Sequence, residues 1–218
     1  MSFYWDERFL RHLDINSIKV ICEIGARYGD ESEKLSSIFK DAQILSFECN
    51  PILVKGCRER LQKLPNVRFF DFGLGEQNTV MPFYHYTENN DGASSLYKRI
   101  DFNNTQKHIG DVVIRTLPSV LVENDIQHVN LVCMDIQGYE LNVLRGCGDY
   151  LNKIDYIIME EPKPVPNEYY LPRGVHSSYV GAPTSQEIKA FMNSHNFYEI
   201  ERVPENMIED NVMYKRQM

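Results

Sequence analysis

Apolar residues along this chain fall in two alternating patterns: short continuous runs, and stretches in which they recur at helical spacing. The run Val20-Ile21-Cys22 continues through Glu23-Ile24 into Gly25-Ala26-Arg27-Tyr28-Gly29, after which Leu35, Ile38 and Phe39 stand at i, i+3 and i+4. That order predicts a strand over about 18–23, a glycine turn and a helix. Gln43-Ile44-Leu45-Ser46-Phe47-Glu48 reads as a second strand ending in an acid. Asn50-Pro51 follows as an N-cap and first-turn proline for a helix carrying Leu53, Cys57 and Leu61. Further strands are predicted at 67–72, 129–135 and 155–159, with a helix bearing Leu141 and Leu144 opening near Gly138. Thr184-x-x-Glu187 is a capping box ahead of Ile188, Phe191 and Met192, and strands near 197–202 and 210–215 close the chain as an antiparallel pair. The region 79–104 is less regular, with one strand at Val80–Tyr84; a short strand at Val112–Ile114 and a helix over 118–123 come next. Trp5, Phe9 and Leu13 predict a helix within residues 1–17 that packs beside the sheet.

Strands alternating with helices imply a mostly parallel sheet covered on both faces. Ligands of such sheets gather at the carboxyl ends of the strands. Here those ends carry Glu23, Glu48, Asp71, Asp135 and Glu160-Glu161, which predicts a single polar rim around a cofactor cleft. The glycine turn allows a ligand to approach bare backbone at a helix N-terminus. Glu48, at the tip of the second strand, is placed to accept hydrogen bonds from ribose hydroxyls. Taken alone these features also suit a nicotinamide-dependent reductase or a non-catalytic cofactor-binding module. No Tyr-x-x-x-Lys pair occurs, which removes one common reductase chemistry.

Composition narrows the field. At 218 residues and 43% hydrophobic, the chain reads as one domain with a three-layer core. A net charge of −8, with no Lys/Arg run longer than two, argues against nucleic acid as a partner. No run of eighteen apolar residues occurs, so no membrane span is expected. The first residues lack the basic and apolar regions of a signal peptide, and five cysteines without a C-x-x-C suit neither a disulfide framework nor a zinc site. The expected compartment is the reducing cytoplasm. Oligomeric state is not legible.

Three blocks together are more specific: Glu23-Ile24-Gly25-Ala26-Arg27-Tyr28-Gly29, Phe47-Glu48-Cys49-Asn50-Pro51 and Met134-Asp135-Ile136-Gln137-Gly138-Tyr139-Glu140. In this order they resemble the D-V-G-A-N-x-G, F-E-P-N-P and K-I-D-x-E-G-x-E blocks of FkbM-type class I S-adenosylmethionine-dependent methyltransferases. Ile158-Met159-Glu160 is similar to that family's later I-I-x-E strand. The departures are Arg27 for Asn, Cys49 for Pro and Gln137 for Glu. The resemblance implies a Rossmann-like fold: a mostly parallel seven-stranded sheet, helices on both faces and an antiparallel C-terminal strand pair. It also implies S-adenosylmethionine as cofactor. Gly25, Ala26, Arg27, Tyr28 and Gly29 would wrap the methionine moiety and Glu48 would hold the ribose, with Glu23 and Cys49 also among the cofactor-binding residues. Asp71 and Phe72 would meet the adenine, and Asp135 would sit beside the sulfonium centre. Gly92-Ala93-Ser94-Ser95-Leu96 resembles a family segment near the cleft, although a plain polar loop is the reading preferred here.

An alcohol acceptor must lose a proton to a carboxylate, a histidine or a metal-bound oxygen. Asp135 is the first candidate for base or orienter, and capping of the following helix is its structural alternative. Glu160 and Glu161 would either bond acceptor hydroxyls or join Asp135 around Mg²⁺ or Mn²⁺, the metal-free version being favoured. Residues 162–183 read as an insertion or lid, with Tyr169 and Tyr170 stacking on a sugar and His176 as an alternative base. The activity these features imply is O-methyl transfer to a hydroxyl of a sugar or glycan, with a polyketide-like small molecule as the alternative acceptor.

Overall fold

The computed structural model describes residues 6–86, 91–100, 106–164, 175 and 177–217. His176, Tyr169 and Tyr170 lie outside the described residues, as does Trp5.

The apolar runs do form one sheet. Strands β1 (Val20–Ile24), β2 (Gln43–Phe47), β3 (Val67–Phe70), β7 (Val129–Met134), β8 (Ile154–Pro162), β9 (Phe197–Pro204) and β10 (Glu209–Arg216) lie in the order β3-β2-β1-β7-β8-β10-β9. Pairing is parallel from β3 through β8, and β10 runs antiparallel to both β8 and β9. Alternate residues enter different cores because successive side chains of a strand point to opposite faces. Cys22 and Ile24 join one buried cluster, with Val132 and Met134, whereas Ile21, Leu131 and Cys133 join Phe9, Leu35 and Phe39 in the other. The short helix α1 (Glu7–Leu10), capped by Asp6, covers part of the second face.

Helices α2 (Asp30–Ile38), α3 (Val54–Leu61), α4 (Leu117–Glu123), α5 (Glu140–Cys147) and α6 (Ser185–Ser194) connect the strands. The predicted capping box at α6 is present in both directions: Thr184 Oγ1 accepts from the Glu187 N–H at 3.2 Å, and Glu187 Oε2 accepts from the Thr184 N–H at 2.8 Å. At α3 the expectation fails. Asn50 closes a turn, its Oδ1 accepting from the Ile52 N–H at 3.1 Å, and the helix starts only at Val54. Asp135 does not cap α5; the N-cap is Tyr139.

A second sheet was not expected. Strands β4 (Gly73–Leu74), β5 (Thr79–Tyr86) and β6 (Gln106–Arg115) order as β4-β6-β5, beside the carboxyl ends of the main strands. The sequence showed only its most apolar pieces. Val80 and Val113 stand opposite each other and are exposed, so the strands never read as one buried run.

Candidate active site

In the main sheet the strand order reverses at β1, whose neighbours are β2 on one side and β7 on the other. A crevice must open there, because the two following connections leave toward opposite faces. The cleft found at this point is lined by the turn after β1, the ends of β2 and β7, and Glu160 of β8. Gly73 and Leu74 of β4, the segment from Asp91 to Leu96, and the turn between β9 and β10 complete it.

The glycine turn begins where no side chain fits. A Cβ on Gly25 would stand 2.2 Å from the Asp135 carbonyl oxygen, and its φ of +95° is one that L side chains rarely adopt. Gly25 and Ala26 donate their N–H groups to the Phe47 carbonyl, each at 2.9 Å, which ties the turn to β2. Arg27 continues it at φ 51°, a left-handed conformation where Asn or Gly is the usual choice. Its N–H donates to Glu48 Oε2 at 2.7 Å. Its guanidinium pairs with Asp91, Nε to Oδ1 at 3.0 Å, and the Tyr28 hydroxyl donates to the same carboxylate. The turn and the segment that starts at Asp91 are thus fastened together across the cleft.

Glu48 is preset as an acceptor. Its two oxygens take the N–H groups of Arg27 (2.7 Å) and Asn50 (2.6 Å). Burial pushes the carboxyl up to about 7, while those backbone bonds pull it down. Each oxygen keeps a lone pair for a hydroxyl in the cleft.

Glu31 is a site residue the sequence reading missed. It stands in the first turn of α2 and lines the cleft, and its buried Oε1 has no hydrogen-bond partner among the described residues. Burial first, then the charge of Asp135, push it up to about 9. A buried oxygen without a donor is costly unless a ligand supplies one. The signal was an acid two residues past Gly29, in the first turn of the helix, since helical side chains lean back toward their N-terminus.

Asp135 and Glu160 meet at the deep wall of the cleft. Gln137 Nε2 donates to Asp135 Oδ1 at 2.5 Å and to Glu160 Oε2 at 2.8 Å. Burial and then the Asp135 charge drive Glu160 well above the ordinary carboxylate range. Ser94, Ser95, Glu205, Asn206 and Glu209 add polar groups around them. The segment 92–96, read from sequence as a plain loop, is therefore part of the cleft wall.

Several expectations are corrected. Glu161 does not join Asp135 and Glu160, because strand alternation sends its side chain to the other face. There it accepts from the Tyr214 hydroxyl at 2.6 Å, Ser185 Oγ at 3.1 Å and Arg202 Nη2 at 3.2 Å. The anticipated three-carboxylate metal set is thus not assembled, and among the described residues no group of three or more His, Cys, Asp or Glu side chains is arranged to hold a metal ion. Asp71 is an exposed partner of Arg58 at 2.6 Å, and the Phe72 ring packs against Phe47 and Phe70 at 5.9 and 5.6 Å. Neither lines the cleft; the chain bends after β3, and β4 supplies the wall in their place.

Glu23 is also not on the rim. It is fully buried beneath α2, where Ser32 donates to it, and its register partner on β2 is Ser46. Burial raises its carboxyl to about 7. Glu140 is likewise raised by burial, to about 8. Such groups bind protons more tightly folded than unfolded, so the stability they contribute is complete below the ordinary value of 4.5 and is lost as pH rises through the folded value. The melting temperature of the unliganded protein is therefore expected to fall between about pH 5 and pH 9. Glu23→Gln keeps the shape and removes one titrating group, so it should flatten that fall and leave cofactor affinity unchanged. A melting temperature that climbs over this range would contradict the assignment.

This fold and cleft define a class I methyltransferase architecture. Solved structures agree on the fold. An S-adenosylmethionine-dependent methyltransferase from Aquifex aeolicus is similar at 12% identity with a TM-score of 0.50, covering 96% of this chain and 93% of that one. Fibrillarin of Aeropyrum pernix, solved with natively bound S-adenosyl-L-methionine, matches at 12% identity and a TM-score of 0.53, covering 93% and 68%. The sequence profile of the FkbM methyltransferase domain matches residues 23–205, so the chain belongs to the FkbM family of S-adenosylmethionine-dependent methyltransferases. It is 26% identical over 153 residues to the 2-O-methyltransferase NoeI of Sinorhizobium fredii; the match takes in 65% of this chain and 62% of NoeI.

Proposed function

We propose that this methyltransferase acts on oxygen, on a hydroxyl of a sugar or glycan, in the cytoplasm. The observation that carries the reading is the position of Asp135, between the cofactor turn and a wall of serine, amide and carboxyl groups suited to a polyhydroxylated acceptor. Similarity to a protein named a 2-O-methyltransferase favours oxygen over nitrogen or carbon. The acidic chain still argues against nucleic acid, and among the described residues no helix is long and apolar enough to cross a membrane.

The residues present fit S-adenosylmethionine. Glu48 would accept from the ribose hydroxyls, the turn from Gly25 to Tyr28 would wrap the methionine portion, and the unpartnered oxygen of Glu31 would take its ammonium group. When bound, that cofactor supplies a methyl group already activated by a positively charged sulfur. Asp135 then has two tasks: to orient the acceptor hydroxyl and to hold the proton that leaves it. The donor set favours this metal-free scheme, because Glu161 is turned away and an amide already spans Asp135 and Glu160.

Methyl-labelled S-adenosylmethionine offered with a panel of mono- and oligosaccharides tests the proposal. Label should enter as an alkali-stable ether, and Asp135→Asn should lower its incorporation by about a hundredfold or more. Full activity in Asp135→Asn would refute the role of Asp135, and label recovered as an alkali-labile ester would refute the hydroxyl acceptor.

A further inference from the structure

We infer that the side-chain amide of Gln137 takes the place of a divalent cation between Asp135 and Glu160, making it a positioning residue for methyl transfer at this site. The inference rests on the reading of Asp135 given above.

Two carboxyl groups that converge on one point repel unless a proton, a cation or a donor stands between them. Gln137 Nε2 stands there, 2.5 Å from Asp135 Oδ1 and 2.8 Å from Glu160 Oε2. An amide nitrogen has two hydrogens, and this contact uses one for each carboxyl. The opposite end of the amide is fixed as well. Gln137 Oε1 accepts from the hydroxyl of Tyr179, a buried residue whose oxygen also lies 3.1 Å from the Ala93 carbonyl. The nitrogen end therefore cannot exchange places with the oxygen end without losing both carboxyl contacts.

The backbone is held with the same care. Gln137 sits at φ 58° and is followed by Gly138 at φ 95°. Its carbonyl accepts from Ser95 Oγ at 2.9 Å. A non-glycine residue in this region of backbone space costs energy and persists where the surroundings enforce it. Here the enforcement comes from the ends of β7 and β8, from the segment at 93–95 and from Tyr179.

A carboxylate at position 137 would instead gather three acidic groups, the kind of oxygen donor set that divalent cations occupy. The test reads Mn²⁺ binding by the electron paramagnetic resonance of the free ion, and cofactor binding by calorimetry with S-adenosylhomocysteine. The wild-type protein should bind Mn²⁺ more weakly than about 1 mM, Gln137→Glu at least about tenfold more tightly, and Gln137→Glu combined with Glu160→Gln should lose the gain. S-adenosylhomocysteine affinity should stay within about threefold throughout. If Gln137→Glu does not fold, Gln137→Ala decides: it opens the pair without adding charge and should still bind Mn²⁺ more tightly than wild type. Mn²⁺ affinity unchanged in the folded variants would overturn the inference. Failure of the wild-type protein to bind S-adenosylhomocysteine would instead strike the cofactor reading beneath it.

Discussion

Gly25→Ala is expected to abolish S-adenosylhomocysteine binding and to lower stability by about 3 kcal/mol or more. The added methyl group would stand 2.2 Å from the Asp135 carbonyl oxygen, on backbone at φ +95°. Relief requires moving the end of β1 away from the end of β7, yet Ile24 pairs with Met134 directly below and its carbonyl accepts from the Asp135 N–H at 3.1 Å. The clash therefore displaces the residue proposed to handle the proton as well as the cofactor turn. Gly29 provides the internal comparison. There the added Cβ would meet the Leu61 side chain at 2.9 Å, a milder contact than backbone oxygen at 2.2 Å, so the cost is a small shift of Leu61 plus the left-handed φ of +81°. Gly29→Ala should lose about 1–2 kcal/mol and still bind the ligand. Chemical denaturation and calorimetric titration of both variants check this, and a Gly25→Ala protein with wild-type stability and affinity would contradict the geometry.

Glu48→Ala should weaken S-adenosylhomocysteine binding by about tenfold to a hundredfold, the range expected when a charge-assisted acceptor is removed. The loss has two sources: the ribose hydroxyls lose an acceptor, and the N–H groups of Arg27 and Asn50 lose theirs. Glu48→Gln separates the two. Its amide keeps one oxygen and introduces an N–H₂ group facing one of the backbone donors, so its affinity should fall between wild type and Glu48→Ala. Equal affinity in all three would place the ribose elsewhere.

The main sheet was legible because its strands are buried on both faces and read as continuous apolar runs, from Val20–Ile24 to Tyr156–Met159. Glu48 and the glycine turn were legible for a different reason, since their chemistry depends on backbone and on one strand-end acid. The β4-β6-β5 sheet was not, because half-exposed strands such as Gln106–Arg115 mix polar and apolar residues without a clean period. Glu161 shows a signal that was present and unused. Neighbouring side chains in a strand face opposite ways, so Glu160 lines the cleft with Asp135 while Glu161 turns to Tyr214 and Arg202. Glu23 and Asp71 show the converse: a strand-end acid points where its neighbours leave room, toward Ser32 in one case and Arg58 in the other. Gln137 was visible only as a departure from the family's pattern. Its role follows from contacts with Glu160 and Tyr179, respectively twenty-three and forty-two positions away in the chain, and no local pattern carries those.

Calorimetric titration with S-adenosylhomocysteine, run in parallel with NADH, tests the central claim most directly. The account predicts a single saturating site for S-adenosylhomocysteine, lost in Gly25→Ala and weakened in Glu48→Ala, with no heat from NADH. Saturable binding of NADH without S-adenosylhomocysteine binding would contradict it.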